Sequence, residues 1–172
     1  MPAPDPGSLA DLVPGVRATL RRRFPDGYRD VVGFVVTADA TTLCVEDRHG
    51  ATQVLRRDEI VAGHRVGVAR GRDPLRAPLP EAELAALPGG AAAGLRLVCR
   101  LSDLLDERVP PAAVDEPTAA WVVGEWLVCE PRPDLVGVAW WGARRGARSL
   151  LVLACDATAS AGLADLGLVQ RR

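Results

Sequence analysis

The sequence predicts a mixed α+β / α/β chain, a small β-barrel followed by a compact α/β domain, and three observations carry that expectation. Residues 16–66 hold apolar residues at alternate positions in short runs broken by turns, with almost none of the 3.6-residue spacing of helices. Residues 69–80, ARGRDPLRAPLP, are dominated by Arg, Pro, Gly and Asp and read as a linker. After them the strand-like and helix-like runs alternate as β, α, β, α, β, the order of a sheet covered by helices. The predicted organisation is a tail over 1–15, the barrel over 16–68, the linker over 69–80 and the second domain over 81–172.

The first strand, GVRATLRRRF, sets Val16, Ala18 and Leu20 against Arg17, Thr19, Arg21 and Arg23, and it ends at the turn Pro25-Asp26-Gly27. YRDVVGFVVTAD is a second strand that puts Val32, Phe34 and Val36 on one face, with Gly33 where barrels bend. TTLCVED and TQVLRR form a hairpin across Arg48-His49-Gly50, and DEIVAGHRV is one helical turn capped by Asp58 followed by a last strand. Five short strands in about 50 residues match the size of an SH3-like or Tudor-like barrel.

In the second domain PEAELAAL predicts a short helix stopped by Pro88, Gly89 and Gly90. LRLVCRLSDLLDERV predicts a strand running into a helix with Ser102 as N-cap. AAWVVGEWLVCE is a strand pair or one bent strand around Gly124, and DLVGVAWWGARRGA is a helix with Asp134 as N-cap. SLLVLACD is a strand apolar on both faces, ATASAGLADLG a helix and LVQRR a terminal strand.

Composition narrows the function classes. The 172 residues suffice for a real core, and with 48% hydrophobic and 25% charged residues the chain is globular. Its 21 basic and 22 acidic residues exclude a histone-like polycation or an acidic tail. Every basic residue is Arg, so Schiff-base and Walker-lysine chemistry are excluded. The segment MPAPDPGSLADLVPG carries Asp5 and Asp11 and no basic residue, unlike a secretory signal, and runs such as SLLVLAC fall short of the roughly 18 residues a membrane span needs; a cytoplasmic protein is expected. Cys44, Cys99, Cys129 and Cys155 show no metal-ligand spacing and are expected as reduced structural thiols. No metal site is expected. His49 and His64 lack a triad partner, and Ser8, Ser102, Ser149 and Ser160 lack a nucleophile-elbow pattern.

VRATLRRRFPDGYRDVVGFVV, TTLCVEDRHG and DEIVAGHRV, with the Pro-Asp-Gly turn, the Asp30–Gly33 run and the Val61-Ala62-Gly63 ending, cover about 50 residues. AWWGARRGARSLLVL followed by GLADLGLVQRR forms a second, looser stretch. Together they resemble the actinobacterial histone-acetyltransferase-like GNAT N-acetyltransferases that carry an N-terminal small barrel. The resemblance implies an SH3/Tudor-like barrel joined to a truncated GNAT-like domain, with acetyl-CoA as the cofactor if the chain is an enzyme. That family holds the cofactor pyrophosphate on backbone N–H groups of a Gln/Arg-x-x-Gly-x-Gly/Ala loop at a helix N-terminus. The nearest string here is Asp134-Leu-Val-Gly137-Val-Ala139, which begins with an acid that repels phosphate.

Acetyl transfer also needs a general base and an acid. The carboxylates near the Trp126–Cys129 strand, Glu125 and Glu130, are the catalytic candidates, and the one Tyr, Tyr28, lies in the barrel. The four Trp residues fall in the second half; Trp140 and Trp141, about 100° apart on one helix, cannot share a narrow buried stripe, so one is expected at a partner surface. Arg17, Arg21 and Arg23 on one strand face, with Arg56 and Arg57 on another, form a stripe able to track nucleic-acid phosphates. The leading expectation is a non-catalytic binding or regulatory protein acting through a protein partner or as a homodimer that completes an open sheet. No cofactor and no membrane association are then expected. The alternatives are an acetyl-CoA-dependent N-acetyltransferase and nucleic-acid binding through the barrel.

Overall fold

A computed structural model describes residues 9–88, 94–106, 108–156, 158 and 162–171. Among them ten strands form two five-stranded sheets with few, short helices, a mixed α+β protein. The chain divides into two compact units: residues up to Gly67 with Val109–Ala113, and Val68–Arg108 with Val114 onward.

The first unit contains β1 (Arg17–Phe24), β2 (Gly27–Ala38), β3 (Thr42–Glu46), β4 (Thr52–Arg56), a 3-10 turn (Arg57–Glu59) and β5 (Ile60–Arg65). They lie antiparallel in the order β4-β3-β2-β1-β5. Val16, Ala18 and Leu20 are buried, as their alternation predicts. In β2 the face that carries Val32, Phe34 and Val36 is not the one turned to the core. The tight turn pairs Phe24 with Gly27, which sets Leu20 opposite Val31, so Val31 and Val35 join the core and Val32 stays 42% exposed. Phe34 is buried on the opposite face. Gly33 is required by close approach, since a Cβ there would strike the Glu46 carbonyl.

The predicted barrel is not closed by a ladder. Among the described residues β4 and β5 are the two free edges, joined by the 3-10 turn, whose N-cap is Arg56 and not Asp58. Ladder shifts at Arg21/Arg22 and Val35/Thr37 coil the sheet around Leu20, Val35, Leu43, Val45, Leu55 and Ile60. Leu12, following the 3-10 turn Leu9–Asp11, completes this core, and Leu9 and Leu12 lie against Gly63 of β5.

The second unit contains α1 (Glu81–Ala86), β6 (Leu95–Arg100), α2 (Leu101–Leu104), β7 (Ala120–Val123), β8 (Trp126–Cys129), α3 (Leu135–Arg144), β9 (Ser149–Ala154), a 3-10 turn (Ala164–Leu166) and β10 (Val169–Arg171). The sheet order is β10-β6-β9-β8-β7. Only the β8–β9 pair is parallel among the described strands, so the expected α/β sheet is a mostly antiparallel one. One of these pairs has a local reason: β7 and β8 are joined by the two-residue turn Gly124-Glu125, which forces an antiparallel pair.

The strand-to-helix reading of residues 95–104 holds, with Arg100 rather than Ser102 at the N-cap. The helix expected over 157–167 is a 3-10 turn where it is described, residues 157 and 159–161 lying outside the described residues. Gly89 and Gly90, the expected stop of α1, also lie outside them; the helix ends at Ala86 with Leu87 extended.

All six residues of β9 are buried, as a strand apolar on both faces requires. Leu151 and Leu153 pack with Val98, Trp126, Val128 and Leu84, while α3 rests on Leu127 from the other side. Residues 74–78 are pinned over the sheet: Arg171 donates to the Pro74 and Ala77 carbonyls (2.7 Å each) and Trp126 Nε1 to the Pro78 carbonyl (3.1 Å). Among the described residues no helix is long and apolar enough to cross a membrane.

Candidate functional site

The β7–β8 hairpin forms one edge of the second sheet. Gly124 takes φ +59° in the turn, a conformation a side chain would strain, and glycine at the first turn position suits a two-residue hairpin. Val123 pairs with Trp126 and Trp121 with Val128 beside that turn, so these are the hydrogen-bonded pairs of the ladder. Alternation then points the N–H and C=O groups of Ala120 and Val122 away from β8. Among the described residues no backbone group meets them, and the strand carries neither charge nor proline. The sequence allows this hairpin as one of two options, but a free edge is a property of strand order and leaves no local signal.

The two catalytic candidates do not converge. Glu125 stands in the hairpin turn, its carboxylate 3.2 Å from Arg148, whereas Glu130 is exposed past the far end of β8, about 16 Å away along an extended strand. That separation removes a shared acid–base pair.

At the start of α3, Asp134 is the N-cap residue but its side chain caps nothing. Both carboxylate oxygens are held by Arg132, at 2.6 Å from Nε and 3.0 Å from Nη2, and this hydrogen bonding holds the Asp134 carboxyl below the usual range. Arg132 also donates to the Thr118 carbonyl (2.7 Å), so the guanidinium is engaged on three sides. Gly137 is exposed with open space where a Cβ would be, and Ala139 is fully buried. Both lie inside the helix, so the string Asp134–Ala139 is a helix start and not a loop wrapped around an anion.

Trp140 and Trp141 are 6% and 7% exposed, which corrects the expectation that one of them faces a partner. The expectation assumed a narrow buried stripe. Instead α3 is apolar almost all round, with Leu135 and every residue from Val138 to Arg144 buried, as in a helix enclosed on several sides. Arg145 lies over the Trp141 ring at 5.9 Å, and Trp141 Nε1 is buried without a hydrogen-bond partner among the described residues.

In the first unit most of the arginine stripe is engaged. Arg21 grips Asp30 through two hydrogen bonds (2.8 and 3.0 Å), and Arg17 donates to the Gly67 carbonyl. Arg56 pairs with Asp58, and off the stripe Arg22 pairs with Glu59 and Arg29 with Asp26. Arg57 donates to the Asp39 and Leu9 carbonyls, and Arg22 and Arg29 both stack on Phe24. Arg23 is exposed beside a shallow cavity that also carries Asp58 and Glu59. Nine arginines meet nine acids over residues 1–67, so the field is near neutral.

Burial pushes the Cys99 and Cys129 thiols up to about 12, which removes them as nucleophiles at neutral pH. Among the described residues no group of His, Cys, Asp and Glu is placed to hold a metal ion. No protein-family model, curated protein or solved structure matches the chain.

Proposed function

We propose that the chain is a non-catalytic cytoplasmic binding protein that acts as a homodimer, two copies pairing β7 with β7 into one continuous sheet. The observation that carries this reading is the uncharged free edge of Ala120 and Val122. Two such edges are self-complementary. Antiparallel pairing sets Ala120 of one copy opposite Val122 of the other, exchanging both hydrogen bonds, and brings the two Trp121 side chains together at the two-fold axis. Thr118, Ala119, Val123 and Gly124, which flank the pair, add no like charges. A cross-strand aromatic pair on the axis supplies the apolar anchor that Trp140 and Trp141 do not.

The finer relationships belong to the same reading. The order β4-β3-β2-β1-β5 with a 3-10 turn between β4 and β5 supports an SH3-like first unit. The parallel β8–α3–β9 unit supports kinship with GNAT domains, cut down to a part of the fold and used without a cofactor. One observation favours acetyl-CoA-dependent N-acetyl transfer instead: α3 begins at the carboxyl end of β8 beside the parallel β9, the place where open sheets bind ligands. The Arg132–Asp134 pair sits at that place and opposes an anionic ligand.

Light scattering on the full chain decides between them. A dimer is expected, with Val122→Pro monomeric yet folded, because the N–H it removes points outward; Trp121→Pro, which breaks the β7–β8 ladder, should unfold the hairpin. A wild type that stays monomeric at high concentration, or a Val122→Pro dimer, overturns the reading. Micromolar acetyl-CoA binding that is lost in Gly137→Glu would replace it with the acetyltransferase.

A further inference from the structure

A cavity of about 210 Å³ opens beside β6 and α2 in the second unit. Its polar wall is Asp73, Arg100 and Asp103, and its apolar wall includes Leu75, Leu104 and Val169. The volume is below the roughly 300–1,000 Å³ of sites for drug-sized ligands, so the occupant is a small metabolite.

Arg100 is under-engaged. Its side chain is 30% exposed, and among the described residues it makes one contact, a single 3.5 Å approach of Nη1 to Asp103, while Nε is buried with no acceptor. Arg21, Arg56 and Arg132 each close a two-pronged pair at 2.6–3.0 Å, and Arg171 holds two carbonyls. A guanidinium carries five donors in a planar fork matched to a carboxylate, and with Nε buried it is the Nη groups that are left for a ligand.

The two acids are oriented in advance. Asp73 accepts the Leu75 N–H at 3.0 Å and has only the exposed Arg76 guanidinium, 3.8 Å away, as a charged neighbour, and Asp103 accepts the Ser102 hydroxyl at 3.1 Å, which leaves each carboxylate with spare acceptor capacity. A fork for an anion, two carboxylates for a cation and an aliphatic wall within one small cavity describe a zwitterion with an apolar side chain. We infer that this cavity binds a free aliphatic α-amino acid, its carboxylate on Arg100, its ammonium between Asp73 and Asp103, and its side chain against Leu75, Leu104 and Val169. The inference is independent of the dimer, because none of these residues lies on β7.

The test is calorimetric titration of the full chain with leucine, with 4-methylpentanoate, which lacks the ammonium, and with 3-methylbutylamine, which lacks the carboxylate. Saturable leucine binding tighter than about 1 mM is expected, with each half-ligand at least tenfold weaker. Arg100→Gln should weaken leucine at least tenfold. If that variant loses its dispersed amide spectrum, Asp103→Asn takes its place, and it should weaken leucine without weakening 4-methylpentanoate, whose carboxylate loses a competing anion beside Arg100. No saturable leucine binding, equal binding by a folded Arg100→Gln, or a preference for inorganic phosphate over leucine overturns the inference.

Discussion

Gly142 in α3 lies flat on Leu127 in β8: a Cβ at position 142 would stand 2.7 Å from Leu127 Cδ2 and 3.1 Å from its Cβ. Alanine gains about 1 kcal/mol of helix propensity over glycine, but overpacking a closed core costs about 1–3 kcal/mol. Leu127 is fully buried and has nowhere to retreat, so the contact outweighs the propensity. Gly142→Ala should lower the urea midpoint read by tryptophan fluorescence, which reports on the second unit because all four Trp residues lie there. Combined with Leu127→Ala, the loss should be smaller than the sum of the two single losses. A stabilising Gly142→Ala would show that α3 is free to lift.

Trp140→Ala and Trp141→Ala should each destabilise the second unit by about 3–5 kcal/mol, the cost of emptying a buried aromatic site. Trp141→Phe should cost far less, since it also removes the unpartnered indole N–H, a burden of about 1–3 kcal/mol where it is buried. Equal losses for Trp141→Phe and Trp141→Ala in urea unfolding would mean that Nε1 is engaged.

Acid should loosen the β2–β3 turn. Asp39 accepts the Thr42 hydroxyl and N–H (2.7 and 2.8 Å) and the Thr41 N–H and hydroxyl (2.7 and 2.9 Å), and these bonds, the Thr42 hydroxyl foremost, hold its carboxyl far below the usual range. A carboxyl depressed in the folded state stabilises above its unfolded pKa of about 4 and loses that contribution as pH falls toward the folded value. Amide exchange at Thr41 and Thr42 should therefore quicken, relative to intrinsic rates, as pH drops below about 4. In Asp39→Ala the protection should already be low at neutral pH and change little on acidification. An unchanged acid dependence in that variant would assign the effect to Asp30, Asp47 or Asp58, whose carboxyls are also depressed.

What was legible in the sequence was local. The alternation of Val16, Ala18 and Leu20 fixed a strand and its inward face, and the uninterrupted SLLVLA run identified the central buried strand. The phase of β2 was not legible, because four valines surround Gly33 and either alternate set is apolar; the pairing of Phe24 with Gly27 chooses between them. Tryptophan exposure failed for a related reason. A helix wheel gives the angle between Trp140 and Trp141 but not how many sides of the helix are covered. Ion pairing was legible only in part: Asp58 stands two positions from Arg56, whereas Arg21 meets Asp30 across the β1–β2 ladder and Arg22 meets Glu59 from far along the chain, pairings that appear only after folding. Arg100 and Asp73 meet at one cavity for the same reason and carried no sequence motif.

The placement of β9 has a kinetic consequence. The first sheet is a meander in which most ladders join strands adjacent in sequence, so its loops close over short distances. The second sheet joins Leu95 to Ala154 and Arg96 to Arg171, and the chain must lose the entropy of those long loops before the contacts form. Higher contact order slows folding, so the second unit should lag behind the first on the way to the native state. The β7–β8 hairpin, formed early from local contacts, then waits with the β8 edge bare as well as that of β7, and the interval before β9 docks on β8 is when the hairpin is most exposed to another chain.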